Sequence, residues 1–384
     1  MNYRKAPFPY HGGKSKAAPT VWTALGDVDH YAEPFAGSLA VLLNRPHEAN
    51  RPYYSETVND ADGLLVNAWR SIQLHPETTA DHASNPVAEA DTHARHLTLV
   101  RWREERQLEH LMGDPAWCDP QMGGWWLWGI ACWIGGGWCA GTGAWTADHT
   151  GRLYKQARNP DRDAGVKLQR PHITNDGQGV NHAGARLPGV QRKRPHIADD
   201  GLGVNRPAAR LPGVDDSEGE WHPVTMPEIV NWFRWLSARL RHVRILNGDW
   251  ARLCTTGALQ TLPVRIGGGH TGIFLDPPYA DTADRTGNLY AHDSLDVAHE
   301  VREWCLKNGD NPKYRIVLAG FDGEHGTDLE DAGWNRIEWF DPSGYLAGGM
   351  GDQQHRERLW ASPHCLTAAR VEDADGYQPG LFDL

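Results

Sequence analysis

At 384 residues with a formal net charge of -11, the chain can bury a full core and carries either two domains or one domain with a large insertion. An acidic total excludes a uniformly basic nucleic-acid coat, although a local basic groove can coexist with it. The cysteines (Cys118, Cys132, Cys139, Cys254, Cys305, Cys365) lack paired C-x-x-C spacing, which argues against a zinc site or a disulfide framework and fits reduced thiols in a cytosolic setting.

The N-terminal stretch "MNYRKAPFPYHGGKSKAAP" has no apolar signal core and points away from secretion. Residues 1 to about 75 then alternate glycine turns with apolar segments. Both "VDHYAEPFAGSLAVLLN" and "PYYSETVNDADGLLVNAWRSI" read strand, turn, helix, in the α/β manner. In the first, Phe35-Ala36-Gly37-Ser38 forms a tight turn where a ligand can approach bare backbone. It is not a Walker loop, because it lacks the G-K-[ST] ending, and Glu33 just before it would repel phosphate but attract a cationic amino group. Asp60 ends the next strand, placed to accept a ribose hydroxyl.

From Asp91 to Leu111 the pattern is helical, with Arg95, Arg101, Arg103 and Arg106 among Leu and Trp, a solvated face by default and a phosphate-contacting one as the alternative. Between Cys118 and about Glu220 the composition shifts to glycine, proline, asparagine and tryptophan, with few long apolar runs. Residues 123 to 140 are uncharged, yet their glycines and five tryptophans make a poor membrane-spanning helix, so a packing segment is expected and no membrane role. A repeat follows: "RPHITNDGQGVNHAGARLPGV" (170 to 190) recurs as "RPHIADDGLGVNRPAARLPGV" (194 to 214), with a period of 24 and 15 of 21 positions identical. Two copies are too few for a solenoid, and their Arg, His and Asn side chains suit phosphates and base edges, so paired loops that contact DNA are expected.

Regular structure returns after Trp221, with a helix in "MPEIVNWFRWLSARL" and strands in "HVRILNGDW", "GIFLDPPY", "KYRIVLAGFDGEHG" and "WNRIEWFDPSGYLAGG". Strand ends then carry Glu33, Asp60, Asp249 and Asp276, and open α/β sheets bind ligands outside the carboxyl ends of their strands. At one such end Asp276 is followed by Pro277, Pro278 and Tyr279. The prolines cannot donate a backbone hydrogen and hold the turn rigid, so the Asp276 carboxylate and the Pro277 carbonyl are acceptors beside the flat face of Tyr279, a fit for a planar ring bearing an amine.

In order along the chain, "PYHGGK" (9 to 14), "EPFAGS" (33 to 38), "NDAD" (59 to 62), "NGDW" (247 to 250) and "DPPY" (276 to 279) resemble the motifs of Dam-type DNA adenine-N6 methyltransferases, the D12 class, alpha group. "RERLWASPHC" (356 to 365) adds a likeness to a phage-type branch. The resemblance covers roughly residues 5 to 75 and 226 to 365. It implies a Rossmann-like S-adenosylmethionine-dependent methyltransferase fold, with a mixed, mostly parallel sheet in two parts, 1–88 and 226–384. Residues 89–225 would be a large inserted target-recognition region.

The same resemblance implies S-adenosyl-L-methionine as cofactor, with Tyr10, Gly12, Gly13 and Lys14 near its methionine portion. Glu33, Pro34, Phe35, Ala36, Gly37 and Ser38 would line its pocket, Asp60 would hold the ribose, and Asp249 and Trp250 would lie by the adenine or the pocket mouth. Asp276, Pro277, Pro278 and Tyr279 would grip a flipped adenine, with no metal and no catalytic cysteine. The partner implied is double-stranded DNA, with no obligatory protein partner, in the cytoplasm of a bacterial or phage-infected cell. Where the family often has a second glycine this chain has Leu39, so a tighter turn is expected. Three other readings stay open: methylation of cytosine at N4, an RNA or protein-amide substrate, and a non-catalytic DNA-binding protein with a decayed cofactor fold.

Overall fold

A computed structural model describes residues 4–8, 10, 13–46, 55–105, 117–133, 138–139, 145–147, 153–155, 213–215, 221–223, 226–265, 269–278, 297–322, 327–339 and 357–366. In chain order the first half gives α1 (Ala18–Leu25), β1 (His30–Glu33), α2 (Ala40–Leu43), β2 (Ser55–Asp60), α3 (Gly63–Leu74), α4 (Pro76–Ala83), α5 (Glu89–Glu104) and α6 (Pro120–Cys132). Two antiparallel hairpins follow, β3 (Trp145–Ala147) with β4 (Leu153–Lys155) and β5 (Gly213–Asp215) with β6 (Trp221–Pro223). The remainder is α7 (Met226–Leu240), β7 (Val243–Asn247), α8 (Thr256–Arg265), β8 (Thr271–Leu275), α9 (Val297–Asn308), β9 (Tyr314–Phe321), α10 (Asp328–Asp331), β10 (Asn335–Ile337) and β11 (Glu357–Ala361).

The main sheet has seven strands in the order β10-β11-β9-β8-β1-β2-β7. β9, β8, β1, β2 and β7 run parallel, and β11 and β10 close one edge antiparallel. The expected mixed, mostly parallel sheet is therefore present. Parallel strands are covered on both faces and so tolerate apolar residues at successive positions: every residue of β1 and β8 is buried. Alternation still sorts them. Tyr31, Val58, Phe274, Val317, Ala319, Leu359 and Ala361 face one core with α1, α2, α3 and α7. Ala32, Ile273, Leu275, Ile316, Leu318 and Trp360 face a second, closed by the Trp250–Cys254 segment, α8, α9 and α10.

The strands before residue 61 and after residue 242 thus share one sheet, and side chains bind the two parts together. Buried Glu56 on β2 accepts two hydrogen bonds from Arg239 of α7, at 2.6 and 2.9 Å, and one from Arg45 at 3.2 Å. The Arg45 guanidinium also donates to the Val28 carbonyl at 2.7 Å and lies over the Trp22 ring. On the α3 side, Gln73 donates to the carbonyls of Leu240 and Val243.

The glycine- and tryptophan-rich stretch begins as the regular helix α6, which packs on α3 and α4. Asp119 caps it through the Gln121 and Met122 amides, and Pro120 opens it. Its glycines serve close approach rather than turning: a Cβ on Gly123 would stand 2.7 Å from the Ser71 hydroxyl oxygen of α3, and one on Gly129 would collide with the Trp138 ring. Among the described residues no helix is long and apolar enough to cross a membrane.

Leu39, where a second glycine was expected, sits in the left-handed region with φ 54° and is fully buried. Its conformation explains the preference for glycine, since an L side chain there costs about 1–2 kcal/mol. Leu39→Ala keeps that strain and loses the packing, whereas Leu39→Gly loses the packing and relieves the strain. Both are expected to be less stable than the parent by about 2–5 kcal/mol, with L39G more stable than L39A by about 1 kcal/mol, against the usual order of these residues. Urea unfolding of the three proteins checks the order; an L39A more stable than L39G would refute the account.

Candidate active site

β1 and β8 are neighbours, yet the chain leaves β1 toward β2 and leaves β8 toward β9. That divergence opens a crevice above their carboxyl ends, which carry Glu33-Pro34-Phe35 and Asp276-Pro277-Pro278. The turn after β1 is shaped by the end of β2. Ala36 N donates to the Asn59 carbonyl at 2.8 Å, and Gly37 N donates to Asp60 Oδ2 at 2.9 Å. Gly37 adopts φ 45°, and a Cβ there would stand 2.7 Å from the Tyr10 ring, so glycine lets Tyr10 lie against the turn. Trp69 Nε1 donates to the Gly37 carbonyl from below, and Ser38 is buried.

Asp60 accepts from Asp62 N at 2.9 Å through its other oxygen, and burial pushes its carboxyl up to about 6 despite both backbone amides. Its carbonyl accepts from Gly248 N at 3.0 Å and from the Asn247 amide, which ties the turn after β7 to the same strand end. Exposed Asp249 caps the following 3-10 turn through Ala251 N at 2.8 Å. Next to it Trp250 lies roughly parallel to Phe35, with ring centroids 6.1 Å apart. Cys254 is buried just beyond, and burial pushes its thiol up to about 12, which removes thiolate character.

Lys14 lies on the opposite side of the crevice. Its side chain is 4% exposed, and its ammonium stands 3.1 Å from Asp276 Oδ1 and 3.9 Å from Glu357 Oε1. A buried ammonium must be matched by carboxylates, as this one is. Glu33 is 2% exposed and accepts from the Tyr31 hydroxyl at 3.1 Å. Burial, reinforced by nearby Asp276, pushes its carboxyl well above the usual range. Gly13 N donates to the Tyr10 carbonyl at 3.3 Å, and Pro277 is buried while Pro278 is half-buried.

The crevice thus gathers Tyr10, Gly13, Lys14, Glu33, Pro34, Phe35, Ala36, Gly37, Ser38, Asp60, Asp249, Trp250, Asp276, Pro277 and Pro278 around neighbouring strand ends, while Gly12 and Tyr279 lie outside the described residues. Both copies of the repeat also lie outside, apart from the strand that starts at Gly213. Glu357 and Asn59 were not singled out as site residues, although they fall in the quoted "RERLWASPHC" and "NDAD". Of the helical arginines, Arg95 lies over the Trp128 ring at 4.1 Å, Arg101 is exposed, Arg103 is half-buried, and Arg106 is outside the described residues.

The family model of D12 class N6 adenine-specific DNA methyltransferases matches residues 10–104. A D12-class adenine methyltransferase domain is thus detected at residues 10–104. The matched segment runs from Tyr10 through Lys14, the turn after β1 and Asp60 to the end of α5. No curated protein matches the chain. A D12 domain acts on adenine N6, so the cytosine and non-catalytic readings are not favoured. Family and fold imply S-adenosylmethionine as methyl donor and DNA as substrate.

The residues of the crevice fit that cofactor. The glycine at position 37 leaves bare backbone at the turn, Phe35 and Trp250 offer apolar rings, and the carboxylate of Asp60 retains lone pairs beyond the two it gives to Gly37 and Asp62. A ribose hydroxyl held by the Asp60 carboxylate would keep that bond above about pH 6 and lose it as pH falls through that value. S-adenosylmethionine affinity, measured by calorimetry, is expected to be flat above about pH 7 and to weaken by up to about tenfold per unit below about pH 6. Asp60→Asn should bind more weakly at neutral pH and remove the dependence; a slope unchanged in D60N would exclude Asp60 as its source.

Proposed function

We propose that the chain is a site-specific DNA adenine methyltransferase that moves the methyl group of S-adenosyl-L-methionine to the exocyclic N6 of an adenine swung out of duplex DNA. One observation carries this reading. Lys14, inside the matched domain, reaches across to within 3.1 Å of Asp276, far outside it, so the Asp-Pro-Pro corner is tied to the segment whose Tyr10 ring lies against the turn after β1.

In this reading the cofactor supplies an electrophilic methyl carbon, and the protein supplies placement. Adenine's amino nitrogen is a weak nucleophile because its lone pair is delocalised into the ring. The Asp276 carboxylate and the Pro277 carbonyl accept its two hydrogens, which favours a more tetrahedral nitrogen and stabilises the positive charge that develops on it. Lys14 keeps the Asp276 side chain from rotating away, and the proline pair keeps the carbonyl from being drawn into the sheet. Tyr279 is the residue assigned to stack on the flipped ring. Residues 89–225 are assigned to target recognition, as a region inserted between 1–88 and 226–384, with its repeat on the DNA. The enzyme would work without a metal or a protein partner, in the cytoplasm of a bacterial or phage-infected cell.

Incubation with duplex DNA and methyl-labelled cofactor, followed by digestion to nucleosides, is expected to give N6-methyladenine as the labelled base. With cofactor and DNA both saturating, Asp276→Ala is expected to slow the single-turnover rate by about 100- to 1000-fold, or roughly 3–4 kcal/mol in the barrier. Label on cytosine, or an undiminished rate in D276A, would overturn the proposal.

A further inference from the structure

Asn59 lies at the end of β2 with its side chain 1% exposed. Its Nδ2 donates to two carbonyls at once: that of Pro34 at 3.1 Å and that of Gly248 at 2.9 Å. These carbonyls belong to turns that leave β1 and β7, two strands separated by β2 and therefore about 10 Å apart. One amide nitrogen thus spans the strand between them. The amide cannot be reversed, because its oxygen would then face both carbonyl oxygens; as placed, Oδ1 is buried with no hydrogen-bond partner among the described residues. Among the twenty side chains only a primary amide on a short stem offers two donors without a charge at this spot, and a lysine there would bury an unmatched cation.

The two turns carry the aromatic pair. Phe35 follows Pro34 directly, Trp250 comes two residues after Gly248, and their rings lie 6.1 Å apart at 24°. We propose that Asn59 is a positioning residue that sets the gap between these turns and so the fit of the adenosyl portion of S-adenosylmethionine. The inference rests on the proposed function, which takes this crevice to be the cofactor pocket. Asn59 touches no reacting atom. It acts through Pro34 and Gly248, so its loss should weaken cofactor binding while leaving the chemical step intact once cofactor is saturating.

The test compares the full-length chain with Asn59→Asp, which is isosteric but sets a carboxylate against two carbonyl oxygens, and with Asn59→Gln, which keeps both donors on a longer stem. Calorimetry gives the S-adenosylmethionine Kd, and steady-state methylation of duplex DNA gives KM and kcat. For N59D the expected result is a rise of about tenfold or more in both Kd and KM for the cofactor, with kcat within about threefold of the parent. N59Q should fall between the two, and it carries the test alone if circular dichroism shows N59D to be unfolded. Folded variants that bind the cofactor within about twofold of the parent would overturn the inference, as would a fall in kcat with KM unchanged. Failure of the parent itself to bind S-adenosylmethionine would instead overturn the reading of the crevice as the cofactor pocket.

Discussion

The pairing of β1 with β8 is the constraint on which the rest depends. The two strands are separated by most of the chain, yet their parallel register sets Ala32 opposite Ile273. That brings Glu33-Pro34 and Asp276-Pro277 to the same end of the sheet. Were β8 to pair anywhere else, the turn after β1 and the Asp-Pro-Pro corner would be separate loops with no shared crevice. Ion pairs secure the arrangement at both ends: Lys14 with Asp276 at the carboxyl ends of the strands, and Glu56 with Arg45 and Arg239 toward the amino end of β2. Lys14 with Asp276 and Glu56 with Arg239 each match an N-terminal side chain to one that follows the intervening region. Removing Lys14 would take away the ammonium that Asp276 and Glu357 share, which costs more than the pair contributes.

The carboxylates of the crevice meet burial in different ways. Asp276 and Glu357 keep their place because the Lys14 ammonium lies between them, and Lys14 is tolerated at 4% exposure for the same reason. Glu33 has the Tyr31 hydroxyl and a backbone hydrogen bond at Leu42 in place of a cation, and these do not offset the loss of water, so its carboxyl is pushed well above the usual range. Asp60 stands between these cases: two backbone amides partly compensate its burial, and its carboxyl rises only to about 6. Burial thus raises Glu33 and Asp60 to different extents according to the groups each side chain meets.

Much of this could be read from residue order. β1, β2, β7, β8 and β9 announce themselves as short apolar runs ending in glycine, proline or an acid, and the register of type to position survives because parallel strands are buried on both faces. What escaped the sequence was partnership. Nothing near Glu357 reveals that its carboxylate meets Lys14, since the two are joined only by the return of β11 between β9 and β10. Arg95 was read by periodicity as facing water, yet it lies over Trp128 from α6. The glycines of the tryptophan-rich stretch make the same point: Gly123 and Gly129 are small because another element passes close by. Close approach is a property of two segments, and a pattern along one cannot display it.

The end of β2 shows how two adjacent residues turn a sheet edge into a crevice. Successive side chains of a strand point to opposite faces. Asn59 reaches to the carbonyls of Pro34 and Gly248, and Asp60 reaches to the amide of Gly37, so one side chain serves as donor and the next as acceptor. Exchanging the two residues would set a carboxylate against carbonyl oxygens and remove the charge from the amide of the tight turn. The order Asn then Asp is therefore dictated by which backbone groups each neighbouring turn leaves unpaired, carbonyls on one side and an N–H on the other. A strand that merely ended would leave those groups to water; here they become the fixed walls of the site.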